Sequence, residues 1–189
     1  MTEDDPKLPY RQYRAFMYRQ EELIPLDPVI YEHYLLHCDL PETLAQTVHD
    51  HSILDALGDY FIEKTSVAVM GGHSLSRLTE DYRNLVYMSR ARALRGFIVV
   101  TGGGPGAMEA CNLGAYLALH SDEEVEEAIS IIRAGNENYD HEYENHQSAD
   151  NVIKRFGYPT YMPSIGIPTW RYGHEPPNRF ATWHAKFFS

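Results

Sequence analysis

The stretch Gly102-Gly103-Gly104-Pro105-Gly106 carries the sharpest chemical signal in this chain. Glycines allow positive φ and a close approach of backbone to ligand, and a helix starting just beyond adds free N–H groups and a dipole that favour an anion. The turn reads as a local phosphate trap, with a purely structural tight turn as the competing reading. It is no P-loop, because no GKS or GKT follows Gly106, and the spacing Gly102-x-Gly104-x-Gly106 does not match GxGxxG. Nor does an acidic residue close a strand about twenty positions on, where a dinucleotide site would hold its ribose. Met108 and Glu109, in the first turn of the following helix, join the glycines as candidate ligand contacts.

A second glycine turn, Gly71-Gly72-His73-Ser74, follows the preceding apolar run. His73 and Ser74 offer hydrogen bonds to a ligand, although a serine there equally serves as a helix cap. A third element spans residues 168–178. Trp170 and Tyr172 present flat faces for a base, Arg171 a fork for a phosphate or carboxylate, and His174 with Glu175 an acid/base pair, with Asn178 closing the loop. The bland account is that Pro168, Gly173, Pro176 and Pro177 stiffen a connection whose aromatics pack inward.

Other polar clusters read as solvated. His49, Asp50 and His51 sit inside a helical pattern, where i and i+2 point to different faces and cannot share a metal. Asp140, His141, Glu142, Glu144 and His146 fall in a strongly polar segment, 135–150, that reads as a mobile loop or lid. No metal and no cofactor are expected.

These residues need elements to position them. Ser66–Met70 is a short β-branched apolar run that reads as a buried strand ending in Gly71-Gly72. Helical periodicity follows from Thr79 to Arg95, with Gly96 as its stop. A second buried strand, Phe97–Thr101, runs into the main glycine turn and a helix from Ala107 to Leu119. This is the βαβα unit of a parallel α/β sheet, with both glycine turns at its carboxyl edge, where ligands bind. Ser121 and the acids after it cap a further helix to about Arg133, and Ser164–Ile167 is a third strand candidate. Ahead of the sheet, two helical patterns occupy residues 28–64, with Leu44, Val48, Ile53, Leu54, Leu57, Phe61 and Ile62 near a 3.6 period. Residues 1–27 form a basic, aromatic arm expected to pack on the domain or on a partner subunit. The last eleven residues, 179–189, carry a helix-like apolar rhythm that stops without a cap, the pattern expected of a chain cut short.

Composition bounds the reading. The 189 residues include 16 Lys+Arg, 27 Asp+Glu, 2 Cys and 43% hydrophobic residues, the profile of a soluble globular domain able to bury a core. A formal charge of −11 disfavours nucleic acid and anionic membrane surfaces as partners, so any phosphate must be caught locally. No apolar run approaches the roughly 18 residues of a membrane span, and the polar, acidic start lacks a secretion signal, which points to the cytoplasm. Cys38 and Cys111 have no CxxC spacing and read as core or helix-face residues.

The stretches VAVMGGH (67–73), FIVVTGGGPGAMEA (97–110) and IPTWRYGHEPPN (167–178) together resemble the Lonely Guy (LOG) group of Rossmann-like nucleotide-binding proteins, formerly called lysine decarboxylase-like. The likeness covers residues 66–188 and is nearest to the larger bacterial branch that includes nucleotide 5′-monophosphate nucleosidases. It implies a Rossmann-like three-layer parallel sheet with an N-terminal helical arm: 1–64 as arm and helices, 65–189 as an incomplete nucleotide-binding domain. The implied activity is hydrolysis of the N-glycosidic bond of a nucleoside 5′-monophosphate to free base and ribose 5-phosphate. That chemistry needs a carboxylate beside an oxocarbenium-like centre and a water to capture it. The family also commonly forms homo-oligomers. Its catalytic Arg and its PGGxGTxxE loop do not occur in these 189 residues, so the activity is expected of the intact form and not of this chain as it stands, with Glu109 and Glu175 only weak substitutes for the carboxylate. A non-catalytic nucleotide-sensing or assembly module is the alternative expectation.

Overall fold

The computed structural model describes residues 18–19, 27–36, 39–135, 142–159, 162–172 and 177–189. The architecture is mixed α/β. Strands β2 (Ser66–Val69), β3 (Ile98–Thr101), β4 (Ser164–Gly166) and β5 (Trp183–His184) run parallel, and β1 (Tyr18–Arg19) joins β5 antiparallel, giving the order β1-β5-β4-β3-β2. Helices α1 (Asp27–Leu36) and α2 (Leu40–Phe61) precede the parallel strands. Helix α3 (Glu80–Ala93) connects β2 to β3, and α4 (Ala107–Tyr116), α5 (Asp122–Arg133) and α6 (Glu142–Phe156) connect β3 to β4.

Alternation along β3 divides the core. Ile98 and Val100 pack with Ile53 and Leu57 of α2, together with Ile165 and Ala185. Val99 packs instead with Ala93 of α3 and with Cys111 and Ala115 of α4. Both sets are buried, so β3 is covered on its two faces, as a central parallel strand requires. Each fully buried Val, Leu or Ile side chain among them contributes about 1.5–3 kcal/mol. Helices α3 and α4 approach so closely that a Cβ on Gly114 would stand 2.1 Å from the Val86 carbonyl oxygen. Ser89 Oγ donates to the Cys111 carbonyl at 2.6 Å and locks the same crossing.

The ends of α3 and α5 follow their sequence signals. Thr79 caps α3 by accepting the Tyr82 N–H, and Ser121 with Glu124 forms a capping box on α5. Gly96 after α3 has φ 83°.

Several expectations are corrected. Strand β2 lies at the sheet edge, and Ser66 and Ala68 are exposed where a fully buried strand was expected. The terminal segment is not helical: Trp183–His184 is strand β5, and Thr169 bridges Phe187 beyond it. Residues 142–150 belong to α6, because Ala149, Val152, Ile153 and Phe156 supply a helical apolar face that packs in the cluster with α5. The notional metal ligands Asp140 and His141 lie outside the described residues, as does Cys38. On α2 only Ile53 and Leu57 of the expected apolar set are fully buried, while Leu44, Val48, Leu54 and Ile62 are exposed.

His49 and Asp50 are not solvated face residues either. The His49 ring meets Phe188 edge-on at 5.0 Å, and the Asp50 carboxylate accepts the N–H groups of Phe188 and Ser189 at 2.9 and 2.8 Å. Burial raises the Asp50 pKa, but hydrogen bonds from His49, Phe188 and Ser189 outweigh it and hold the carboxyl below its ordinary value. No helix among the described residues is long and apolar enough to cross a membrane.

Candidate functional site

The two glycine turns meet at the carboxyl edge of the parallel sheet. Gly71 and Gly72 leave β2 with φ of 82° and 69°, and Gly106 precedes α4 with φ 69°. The Gly72 carbonyl accepts the Ala107 N–H at 2.9 Å and the Leu75 N–H at 3.1 Å. A Cβ on Gly106 would lie 2.3 Å from that same carbonyl oxygen and 2.6 Å from that of His73, so the residue is glycine for space as well as for φ. His73 and Ser74 are exposed at this junction. Ser74 does not cap α3, whose cap is Thr79.

The main turn is held from below by a buried polar chain. Thr101 Oγ1 accepts the Gly103 N–H at 3.0 Å and donates to Asn112 Oδ1 at 2.7 Å. Asn178 donates from Nδ2 to the Gly104 carbonyl at 3.1 Å and to Asn112 Oδ1 at 3.0 Å, and its backbone N–H reaches the Gly103 carbonyl at 2.7 Å. Asn178 therefore fastens the turn to β5's approach. Thr101 and Asn112 were not among the residues singled out from sequence. A polar Asn in the otherwise apolar ACNLGA run of α4 was the available signal, since a buried amide is retained only where it is hydrogen-bonded.

Below the turn, Gly166 of β4 leaves room for both Gly103 and His184: a Cβ there would stand 3.1 Å from Gly103 Cα and 2.9 Å from His184 Cδ2. Complete burial is the largest influence on His184, pushing its imidazole pKa down to about 3 and keeping the ring neutral under the site.

Glu109 sits in a closed ion pair. Arg77 grips it with Nε to Oε2 at 2.8 Å and Nη2 to Oε1, Tyr82 OH donates to Oε2 at 3.0 Å, and Arg77 Nη1 donates to Ser148 Oγ at 2.9 Å. Arg133 Nε then donates to the Arg77 carbonyl at 3.0 Å. With 3% of its surface exposed, Glu109 ties α4 to the β2–α3 loop and to α6, and both carboxylate oxygens are engaged. Cys111 is no nucleophile here, since burial pushes its thiol pKa up to about 12.

The third element is only partly assembled into the site. Pro168, Thr169 and Pro177 border the cavity beside the glycine turn. Trp170 offers no free face to a base: it is buried, stacks on Phe188 at 5.5 Å, and has Lys186 Nζ 3.9 Å from its ring centroid. Arg171 is exposed in the short 3-10 turn Trp170–Tyr172, its N–H donating to Thr169 Oγ1 at 3.3 Å. His174 and Glu175 lie outside the described residues.

A cavity of about 370 Å³ opens where these parts converge, bordered by Met70, His73, Gly102–Gly104 and Met108 on one side and Ile167–Thr169 on the other. Among the described residues, no cluster of three or more His, Cys, Asp or Glu side chains is placed to hold a metal ion. A scan against models of protein families gives no match to this chain, and a comparison with curated proteins gives none either.

Proposed function

We propose that this chain forms a Rossmann-like nucleotide-binding domain of the LOG type, and that its site serves hydrolysis of the N-glycosidic bond of nucleoside 5′-monophosphates to free base and ribose 5-phosphate. The observation that carries the reading is the junction of Gly72 with Gly106 and Ala107, which sets two glycine turns side by side at the carboxyl edge of a parallel sheet, against a cavity of about 370 Å³. Ligands in open parallel sheets bind at that edge. Gly103 and Ala107 spend their N–H groups on Thr101 and Gly72, so these two amides are not available to an anion.

A second reading, a module that binds a nucleotide without cleaving it, is favoured by one specific observation. Glu109 is buried with both oxygens on Arg77 and Tyr82, which takes it out of reach as the carboxylate beside the anomeric carbon. Incubation of the chain with AMP, GMP, CMP and UMP, followed by assay of free base, separates the two. Base release supports the hydrolase and overturns the expectation that the absent loop is needed for turnover. Calorimetric binding without release supports the sensing module, and absence of both defeats nucleotide recognition altogether.

A further inference from the structure

We infer that the cavity beside the main glycine turn receives the flat ring of the ligand and not its phosphate, with Met108 and Met70 as the residues that select for that ring. The inference rests on the nucleotide reading above and narrows it. Its first ground is the lining. The side chains of Met70, Met108, Pro105, Ile167, Pro168 and Pro177 supply carbon and sulfur surface, with His73 and Thr169 as the polar members. No Lys or Arg borders the cavity among the described residues, and the chain as a whole carries −11. An anion drawn into such a space loses hydration without gaining a countercharge, whereas an aromatic ring gains from leaving water.

The second ground is the reason for the glycines. Gly102 and Gly104 do not have positive φ, unlike Gly103 and Gly106, so backbone conformation does not require glycine there. What a side chain would meet is Met108. A Cβ on Gly102 would stand 2.9 Å from Met108 Sδ and 3.8 Å from Met70 Cε, and one on Gly104 would stand 2.8 Å from Met108 Cε. These close approaches are to the far end of a flexible side chain that can shift, and they show that the Met108 thioether lies across the turn beside Gly102 and Gly104. A methionine is flexible and polarizable, adapts to a flat partner, and makes favourable sulfur–aromatic contacts. The volume, about 370 Å³, falls at the small end of ligand pockets, which run about 300–1,000 Å³.

The test uses the whole chain labelled with 13C at its methionine methyls, of which there are 6, titrated with adenine, AMP and ribose 5-phosphate. Adenine and AMP are expected to move the Met70 and Met108 methyl resonances upfield by ring current while the other methyls stay, and ribose 5-phosphate is expected to leave both in place. Met108→Ala should weaken adenine and AMP by about tenfold, with Met108→Leu intermediate and ribose 5-phosphate unaffected. The inference is overturned if ribose 5-phosphate moves the same two methyls, if adenine moves neither, or if Met108→Ala leaves ring binding intact. AMP binding with both methyls unmoved sinks the ring assignment and spares the nucleotide reading. Adenine binding at the two methyls without any binding of AMP does the reverse.

Discussion

The carbonyl oxygen of Gly72 accepts the N–H of Ala107 at 2.9 Å, tying the turn after β2 directly to the first residue of α4. One of the free amides at that helix start is thereby spent on the protein itself. The two glycine turns are one structural unit, and whatever binds there meets both together.

Gly106→Ala breaks that unit. The new methyl would fall 2.3 Å from the Gly72 carbonyl oxygen, at a residue whose φ is already 69°. Neither backbone atom can yield cheaply, so the variant should lose about 2–4 kcal/mol of stability in urea denaturation. Nucleotide affinity should fall with it, and an unchanged denaturation midpoint would show that the turns do not bear on each other.

Asn178→Ala removes the side-chain bonds to Gly104, Asn112 and the Phe180 N–H and leaves a buried cavity beneath the main turn. A destabilisation of about 1–3 kcal/mol is expected from buried groups left unpaired. Hydrogen exchange at Gly103 and Gly104 should rise with it, because the peg that holds the turn is gone.

Arg77→Met strands the Glu109 carboxylate in the core. Breaking a buried ion pair from one side costs about 3–5 kcal/mol, measured here by chemical denaturation at pH 7. The double variant Arg77→Met with Glu109→Leu should recover much of the loss, since no charge is then left without its partner. Failure to recover would mean that the pair is needed for its geometry and not only for neutrality.

His184 makes stability depend on acidity. Its pKa is about 3 folded against 6.5 for the free side chain, so below pH 6.5 the unfolded chain takes up a proton that the folded chain refuses. The stabilisation is fully present above pH 6.5 and declines as pH falls toward 3, by about 1.4 kcal/mol per unit where the difference is one whole proton. Asp50, held below its ordinary pKa, adds loss of the same sign at the acid end. Urea midpoints at pH 7, 5 and 4 give the slope, and His184→Gln should flatten it.

Much of this organisation was legible in the residues. β3 is a β-branched apolar run and β4 falls within the expected third strand, Thr79 and Ser121 are caps, and glycine repeats mark both turns. What was hidden has physical causes. β5 contributes two residues to the sheet, too few for a period-2 signal against the apolar rhythm around it. α6 begins inside a polar run and declares its apolar face only from Ala149 onward. Arg77, Thr101 and Asn112 act through partners up to 71 positions away, and nothing local foretells such pairings. Trp170 looked like a binding platform because its type suits one, yet Phe188 and Lys186 occupy its faces.

The edge position of β2 sets two tempos within one strand. The Thr65 carbonyl accepts the Ile98 N–H at 2.9 Å, which fixes the phase: Val67 and Val69 turn their peptide groups toward β3, and Ser66 and Ala68 turn theirs away. In heavy water the amide protons of Val67 and Val69 should persist while those of Ser66 and Ala68 are lost early. Neighbouring residues of a single four-residue strand would then report, side by side, the slow opening of the sheet and the fast chemistry of bare backbone.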